Sequence, residues 1–167
     1  MSADRATSYE YGKAEVCAWI REHFSADAEI LDVGAGSGTW RALLPEYKKM
    51  DAVEVFRPNV EKLKNYRLKF CADIRGFCYD RYDLIIFGDV LEHLTVEAAQ
   101  TVLAYAAPRC RDLIVAVPFL YPQEPVGGNP YERHVQDDLT AELFADRYPG
   151  FEVLFDTGKQ YCYYHKT

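Results

Sequence analysis

The stretch ILDVGAGSGTW, residues 30–40, decides the fold. A strand-like apolar run, Ile30-Leu31-Asp32-Val33, drops directly into three glycines at alternate positions, Gly34, Gly36 and Gly38. Glycine lets backbone approach a ligand with no Cβ in the way. A strand that ends in such a turn and is followed by a helix is how an open α/β sheet builds a binding site.

Outward from this loop, the hydrophobic period switches repeatedly between strand-like and helix-like. Residues 9–24 read as an amphipathic helix, with Val16, Cys17, Ile20 and Phe24 on one face. Strands are expected at 28–33, 51–56, 68–73, 82–88 and 112–118, and the unbroken apolar run of the fourth predicts burial on both faces. Helices are expected at 38–46, 57–65 and 95–107, the second with Pro58 in its first turn, where a missing N–H costs least. A loop rich in Pro, Gly and Asn fills 119–134, long enough to suggest a functional role. A last helix is expected at 137–148 with Asp137 or Asp138 as its cap. Residues 151–166 read as a hairpin turning near Gly158.

The order is a helix, five β-α units and a hairpin. It predicts a doubly wound, mostly parallel seven-stranded sheet, with helices on both faces and a C-terminal antiparallel hairpin. Crossovers should be right-handed. The ligand should sit beyond the carboxyl ends of the strands, where strand order reverses. No repeat or composition shift divides the chain, so residues 1–167 are read as one domain.

Bulk properties narrow the function. Formal net charge is -7, with 27% charged residues and 49% apolar ones. That balance argues against nucleic acid as a partner, whose binders carry a basic footprint. Lys48-Lys49 and the segment 57–69 are local basic stretches, read as solvated surface. The five cysteines are odd in number and form no Cys-x-x-Cys, so neither a disulfide framework nor a zinc knuckle is indicated. Cys17, Cys71 and Cys162 lie within apolar patterns and read as core residues. The N-terminal stretch shows no apolar h-region, and the apolar runs are shorter than the ~20 residues of a membrane span, so a reduced, cytoplasmic compartment is expected. The 13 tyrosines cluster partly in "KQYCYYHKT", which reads as half-buried sheet.

Two ligand types suit the glycine loop. Dinucleotide folds use G-x-G-x-x-G, which here would need glycine at position 39, where Thr39 stands. The observed pattern is G-x-G-x-G preceded by Asp32. With "YDLIIFGDVLEHL" (82–94), this pattern resembles the class I S-adenosylmethionine-dependent methyltransferases, and the resemblance spans nearly the whole chain.

That resemblance implies S-adenosylmethionine as cofactor. Asp32, Gly34, Ala35, Gly36, Ser37 and Gly38 would hold its methionine half, Asp32 adding negative charge near the ammonium and sulfonium. Glu54, with Val55, would accept from the ribose hydroxyls, although an acid there suits NAD equally. Asp73, between Ala72 and Ile74, would lie beside the adenine amino group, or cap the turn that follows it. Gly88 and Asp89 would lie against the methionine part. In several relatives a tyrosine near the first helix meets the cofactor carboxylate, a place open to Tyr9 or Tyr11, although surface packing also explains both.

Methyl transfer is an in-line displacement, and a hydroxyl acceptor must lose a proton. His93 and His134 qualify as proton acceptors, while His23 and His165 lie on peripheral elements. His93 could equally cap the helix near Thr95. Asp89, Glu92 and His93 form D-x-x-E-H, and with His134 they make two carboxylates and two imidazoles near one sheet edge. The set resembles the divalent-metal site of small-RNA 2′-O-methyltransferases and ubiquinone-pathway O-methyltransferases, with Asp89 in place of their first glutamate. The resemblance admits a metal without favouring one, since many relatives carry the Glu-His pair alone.

The acceptor side would be bordered by Phe119, Tyr121, Tyr131 and Arg133, the last able to meet an anion or form a surface ion pair. The reading is a methyltransferase acting on an oxygen, less readily a nitrogen, of a small molecule. Minimal enzymes of this class leave the site open, or close it with a homodimer mate or partner protein. Two other classes stay open: a non-catalytic S-adenosylmethionine-binding partner subunit, and an NAD(P)-binding oxidoreductase.

Overall fold

The computed structural model describes residues 10–167. Helix α1 (Lys13–His23) precedes β1 (Ile30–Val33), α2 (Thr39–Leu43), β2 (Met50–Glu54), α3 (Arg57–Lys62) and β3 (Lys69–Cys71). Then come β4 (Tyr82–Gly88), α4 (Val96–Ala106), β5 (Cys110–Pro118), α5 (Ala141–Arg147), β6 (Glu152–Asp156) and β7 (Tyr161–Lys166). All seven strands join one sheet in the order β3-β2-β1-β4-β5-β7-β6. The first five pair in parallel, and β7 enters antiparallel to both β5 and β6. Strand order reverses between β1 and β4, as the doubly wound reading requires.

Alternation along the strands splits the core in two. Leu31, Val33, Ile85, Phe87 and Val115 pack on one face with Ala99, Val102, Leu103 and Ala106 of α4 and Phe144 of α5. Ile30, Leu84, Ile86 and Ile114 pack on the other with Val16, Cys17, Ile20, Phe24 and Trp40. The predicted stripe of α1 is therefore the buried one, and β4 is covered on both sides.

Several expectations are corrected. No α-helix joins β3 to β4; a single 3-10 turn, Ile74–Gly76, does. The sequence there, "DIRGFCYD", holds glycine and no amphipathic repeat, so it cannot build a helix face. The last helix begins at Ala141, capped by Thr140, whose hydroxyl accepts from Leu143 N at 3.2 Å. Asp138 instead pairs with Arg147, a strong ionic partner one helix length away. Cys71 is exposed, because β3 is the sheet's edge strand and has a covered side on only one flank. In the basic segment, Arg67 is bound to Asp51 at 2.8 Å and to Glu29 at 3.1 Å. No helix among the described residues is long and apolar enough to cross a membrane.

Candidate active site at the carboxyl ends of β1 and β4

The loop after β1 is held by its surroundings on every side. Gly34 takes φ +69°, and a Cβ there would lie 2.5 Å from Val90 Cγ2, so the residue is fixed by both backbone and packing. The N–H groups of Gly34 and Ala35 both donate to Val53 O. Glu54 ends β2 and is 6% exposed; its carboxylate accepts from Gly36 N at 2.9 Å and from Phe56 N at 2.8 Å. This acid therefore clamps the loop, with lone pairs left for a ligand hydroxyl. Ser37 Oγ lies 3.3 Å from Thr39 Oγ1, and Gly38 starts α2. Asp32 is fully buried, accepts from Tyr66 Oη at 2.5 Å through Oδ2, and leaves Oδ1 without a partner. Burial pushes its pKa up to about 7, with Glu54 adding and Tyr66 and Lys13 opposing.

Asp73 lies beyond the edge of β2, between Ala72, whose N–H donates to Glu54 O, and Ile74. It caps the turn through Arg75 N at 2.9 Å and pairs with the Arg75 guanidinium, which holds its carboxyl below the usual range. The capping role is thus present alongside any role toward a ligand.

At the end of β4, the backbone again comes close to a ring. A Cβ on Gly88 would lie 2.6 Å from Trp40 Nε1. Asp89 follows with φ +55°; its Oδ1 accepts from Tyr161 Oη at 2.7 Å, and its Oδ2 is buried without a partner. The turn Leu91–His93 comes next. Glu92 is 1% exposed and neither carboxylate oxygen has a partner, and burial with Asp89 beside it raises its pKa well above the ordinary value.

The long loop reaches back to this turn. Val135 N and Gln136 N both donate to Glu92 O, and Gln136 Nε2 donates to Leu91 O and Leu94 O. It thereby brings His134 to His93, with ring centroids 4.8 Å apart and edge to face. One ligand-capable atom from each of Glu92, His93 and His134 lies within 4.8 Å of the others. His93 Nδ1 lies 3.0 Å from Arg133 O, and His134 Nδ1 lies 2.6 Å from Tyr121 O. A carbonyl only accepts, so both Nδ1 atoms carry the proton and both Nε2 atoms carry lone pairs. Burial lowers both imidazole pKa values, keeping them neutral. Thr95, not His93, caps α4, through Ala98 N at 3.2 Å. The other two histidines are structural: His23 Nδ1 meets Trp19 O, and His165 Nε2 meets Asp112 Oδ1 at 2.7 Å.

No family model matches the sequence, and no curated protein matches it. Solved structures do. A methyltransferase from Clostridium acetobutylicum superposes with a TM-score of 0.69 at 12% identity, over 96% of this chain and 92% of that one. The 1,6-didemethyltoxoflavin-N1-methyltransferase of Burkholderia thailandensis, solved with its substrate and S-adenosylhomocysteine, gives 0.64 at 19% over 97% and 78%. Magnesium protoporphyrin IX methyltransferase of Synechocystis, solved with S-adenosylmethionine, gives 0.58 at 17% over 92% and 77%. The chain has the class I S-adenosylmethionine-dependent methyltransferase fold. Two longer proteins, the mitomycin 7-O-methyltransferase and a pyocyanin biosynthetic protein, are matched over about half of their own length, 49% and 55%.

The residues expected to border an acceptor fall along the long loop. Tyr121 and Tyr131 are exposed there, whereas Phe119 packs partly into the core. Arg133 makes the exposed ion pair with Glu124, at 3.6 Å. Tyr11 is exposed, with its carbonyl accepting from Tyr163 Oη at 2.7 Å; Tyr9 lies outside the described residues.

Four features of the site escaped the sequence reading. Lys13 is 3% exposed, and its Nζ lies 5.0 Å from the Trp40 ring centroid and 5.8 and 5.9 Å from those of Tyr161 and Tyr163. Tyr66 binds Asp32 across 34 residues of sequence. Tyr161 comes from the terminal hairpin to hold Asp89. Glu132, in the long loop, has its pKa raised by burial and by Glu54 and Asp89. Only Lys13 left a trace in sequence: it is one of the charged residues beside the apolar stripe of α1.

Proposed function

We propose that this protein transfers a methyl group from S-adenosylmethionine to an oxygen of a small-molecule acceptor. The observation that carries the reading is the pairing of two constellations over one sheet edge. One is the clamped loop of Asp32, Gly34, Gly36 and Glu54, beside Gly88 and Asp89. The other is the Glu92-His93-His134 cluster on the turn after β4. The cofactor supplies the activated methyl, so the protein's task is to orient the acceptor oxygen and take up its proton.

The neutral imidazoles suit that task. Each is fixed by its Nδ1–H bond to a carbonyl, which leaves the lone pair on Nε2. His134 and His93 act as proton acceptors, with Asp89 favouring the imidazolium that forms. The same atoms fit a divalent cation. Two imidazoles with fixed tautomers and a buried carboxylate with both oxygens unpartnered are a fitting donor set, which Asp89 does not join. A cation held there would grip adjacent acceptor oxygens and lower the pKa of the hydroxyl.

Calorimetric titration of Mg²⁺, Mn²⁺ and Zn²⁺ into chelator-treated protein holding S-adenosylhomocysteine tests the cluster, beside a His134→Ala variant. One-site binding that His134→Ala abolishes supports the cation and points to acceptors with vicinal oxygens. No binding leaves the histidines as proton acceptors for single hydroxyls. S-adenosylhomocysteine never formed with any oxygen acceptor, metal present or absent, would sink the enzymatic reading in favour of a cofactor-binding partner subunit.

A further inference from the structure

At the amino ends of the strands, opposite the glycine loop, three arginines meet in one groove. Arg81 precedes β4 and Arg109 precedes β5. The residues they precede, Tyr82 and Cys110, are register partners in the parallel sheet. Neighbouring strands lie about 4.8 Å apart, so the two arginines leave the sheet side by side. Arg111 follows Cys110. All three line a groove of about 420 Å³, together with Glu29 and Asp83. That volume suits a small molecule. Methyl transfer uses none of these residues, since the seven residues of β4, roughly 20 Å of strand, separate them from Asp89.

Two of the guanidiniums are held in place. Arg109 Nη1 donates to Tyr105 O at 2.7 Å, and its Cζ lies 3.7 Å from the Tyr105 ring centroid. Arg111 Nη2 donates to His23 O at 2.9 Å, and its Cζ lies 4.2 Å from the Phe24 centroid. Charge in the groove is incompletely balanced. Among the described residues Arg81 and Arg109 form no ion pair, whereas Arg21, Arg67, Arg75, Arg133 and Arg147 each meet a carboxylate. Arg111 pairs with Asp112 at 2.8 Å, but that carboxylate also meets His165 Nε2 at 2.7 Å. The acids of the groove are engaged as well. Asp83 Oδ2 accepts from Glu29 N at 2.8 Å, and Glu29 Oε2 binds Arg67 at 3.1 Å. Adjacent cations without a carboxylate repel each other, and an anion bridging them turns that repulsion into attraction.

We propose that this groove binds the diphosphate group of a small metabolite, free or carried on a nucleotide, with Arg81 and Arg109 as its principal donors and Arg111 beside them. Two guanidinium forks match two adjacent phosphates, whereas a single phosphate engages one fork at a time.

Calorimetry in metal-free buffer at physiological salt tests the site with inorganic pyrophosphate, cytidine diphosphate and orthophosphate. Pyrophosphate is expected to bind at one site, about tenfold or more tighter than orthophosphate. Arg81→Ala and Arg109→Ala should each weaken it by about 10- to 100-fold, the worth of a charged hydrogen bond. Lys64→Ala, at an exposed cation outside the groove, should leave it unchanged, and saturating S-adenosylhomocysteine should not displace it. Cytidine diphosphate bound as tightly, and lost in the same variants, supports a nucleotide as the source; pyrophosphate bound alone supports a free diphosphate. The proposal is overturned by no saturable binding of pyrophosphate, by orthophosphate bound equally well, or by affinity kept in both arginine variants. Equal loss in Lys64→Ala, or displacement by S-adenosylhomocysteine, overturns it too. The Arg81 side chain forms no hydrogen bond among the described residues, so Arg81→Ala decides alone if Arg109→Ala, which loses the Tyr105 bond, does not melt cooperatively.

Discussion

Replacing Gly34 by alanine tests whether the loop is fixed by packing as well as by backbone. The residue sits at φ +69°, which costs an L-residue about 1–2 kcal/mol. The new Cβ would lie 2.5 Å from Val90 Cγ2. Val90 is 8% exposed and packs in the core with Val53, so it has little room to turn away. Overpacking of this kind costs about 1–3 kcal/mol, giving about 2–5 kcal/mol in all. Gly36→Ala serves as the companion. Its φ is +51°, but the nearest atom to its Cβ lies at 3.8 Å, so only the conformational cost of about 1–2 kcal/mol applies. Urea denaturation, with the midpoint falling at unchanged m, measures both. The clash itself is isolated by adding Val90→Ala, which removes the offending methyl. The double variant should recover about 1–3 kcal/mol relative to additive expectation. Strict additivity, or a Gly34→Ala cost no larger than that of Gly36→Ala, would refute the packing argument.

Asp32 predicts proton release on binding. Its folded pKa, about 7, lies above the ordinary 3.8, so the ligand-free folded state holds a proton that the unfolded carboxylate has lost. Its contribution to stability therefore declines as pH rises from about 4 toward 7. A ligand sulfonium or ammonium beside Asp32 favours the carboxylate, so S-adenosylmethionine binding at pH 6 should release protons, read by calorimetry in buffers of different ionisation enthalpy; release undiminished in Asp32→Asn would exclude Asp32 as the source. Tyr161→Phe removes the 2.7 Å bond to Asp89 and should cost about 1.5–3 kcal/mol in denaturant titration. Thr140→Ala should cost about 1 kcal/mol through the lost cap of α5, while Asp138→Ala, on an exposed ion pair, should cost less in the same titration.

What was legible in the sequence is what repeats locally. The strand runs, the stripe of Val16, Cys17 and Ile20, and the spacing of Gly34, Gly36 and Gly38 are written in neighbouring residues, and the mostly parallel sheet with its antiparallel hairpin follows from their alternation. The D-x-x-E-H spacing likewise placed Glu92 beside His93. Features set by distant partners were not legible. Cys71 looks like core until the sheet order makes β3 an edge. Asp138 looks like a cap until Arg147 claims it. Lys13, Tyr66 and Tyr161 reach the site through contacts with Trp40, Asp32 and Asp89, and no local period encodes such pairings.

These distant partners also explain why the site has the charge it has. Glu54 raises the pKa of Asp32 and of Glu132, and Asp89 raises that of Glu132 and of Glu92. Such crowding is unfavourable in the free protein, and it cannot be a device for stability. Oxygens of Asp32, Asp89 and Glu92 are buried without a hydrogen-bond partner. Lys13 is the counter-charge that Asp32 and Asp89 act on, and it stands at one end. A group of carboxylates with a buried lysine beside it suits a ligand that carries positive charge. S-adenosylmethionine, with its sulfonium and ammonium, carries it. On the proposed reading, methyl transfer would discharge the sulfonium, so carboxylates that hold the substrate cofactor would hold the product less strongly, and the electrostatics that bind would also favour release.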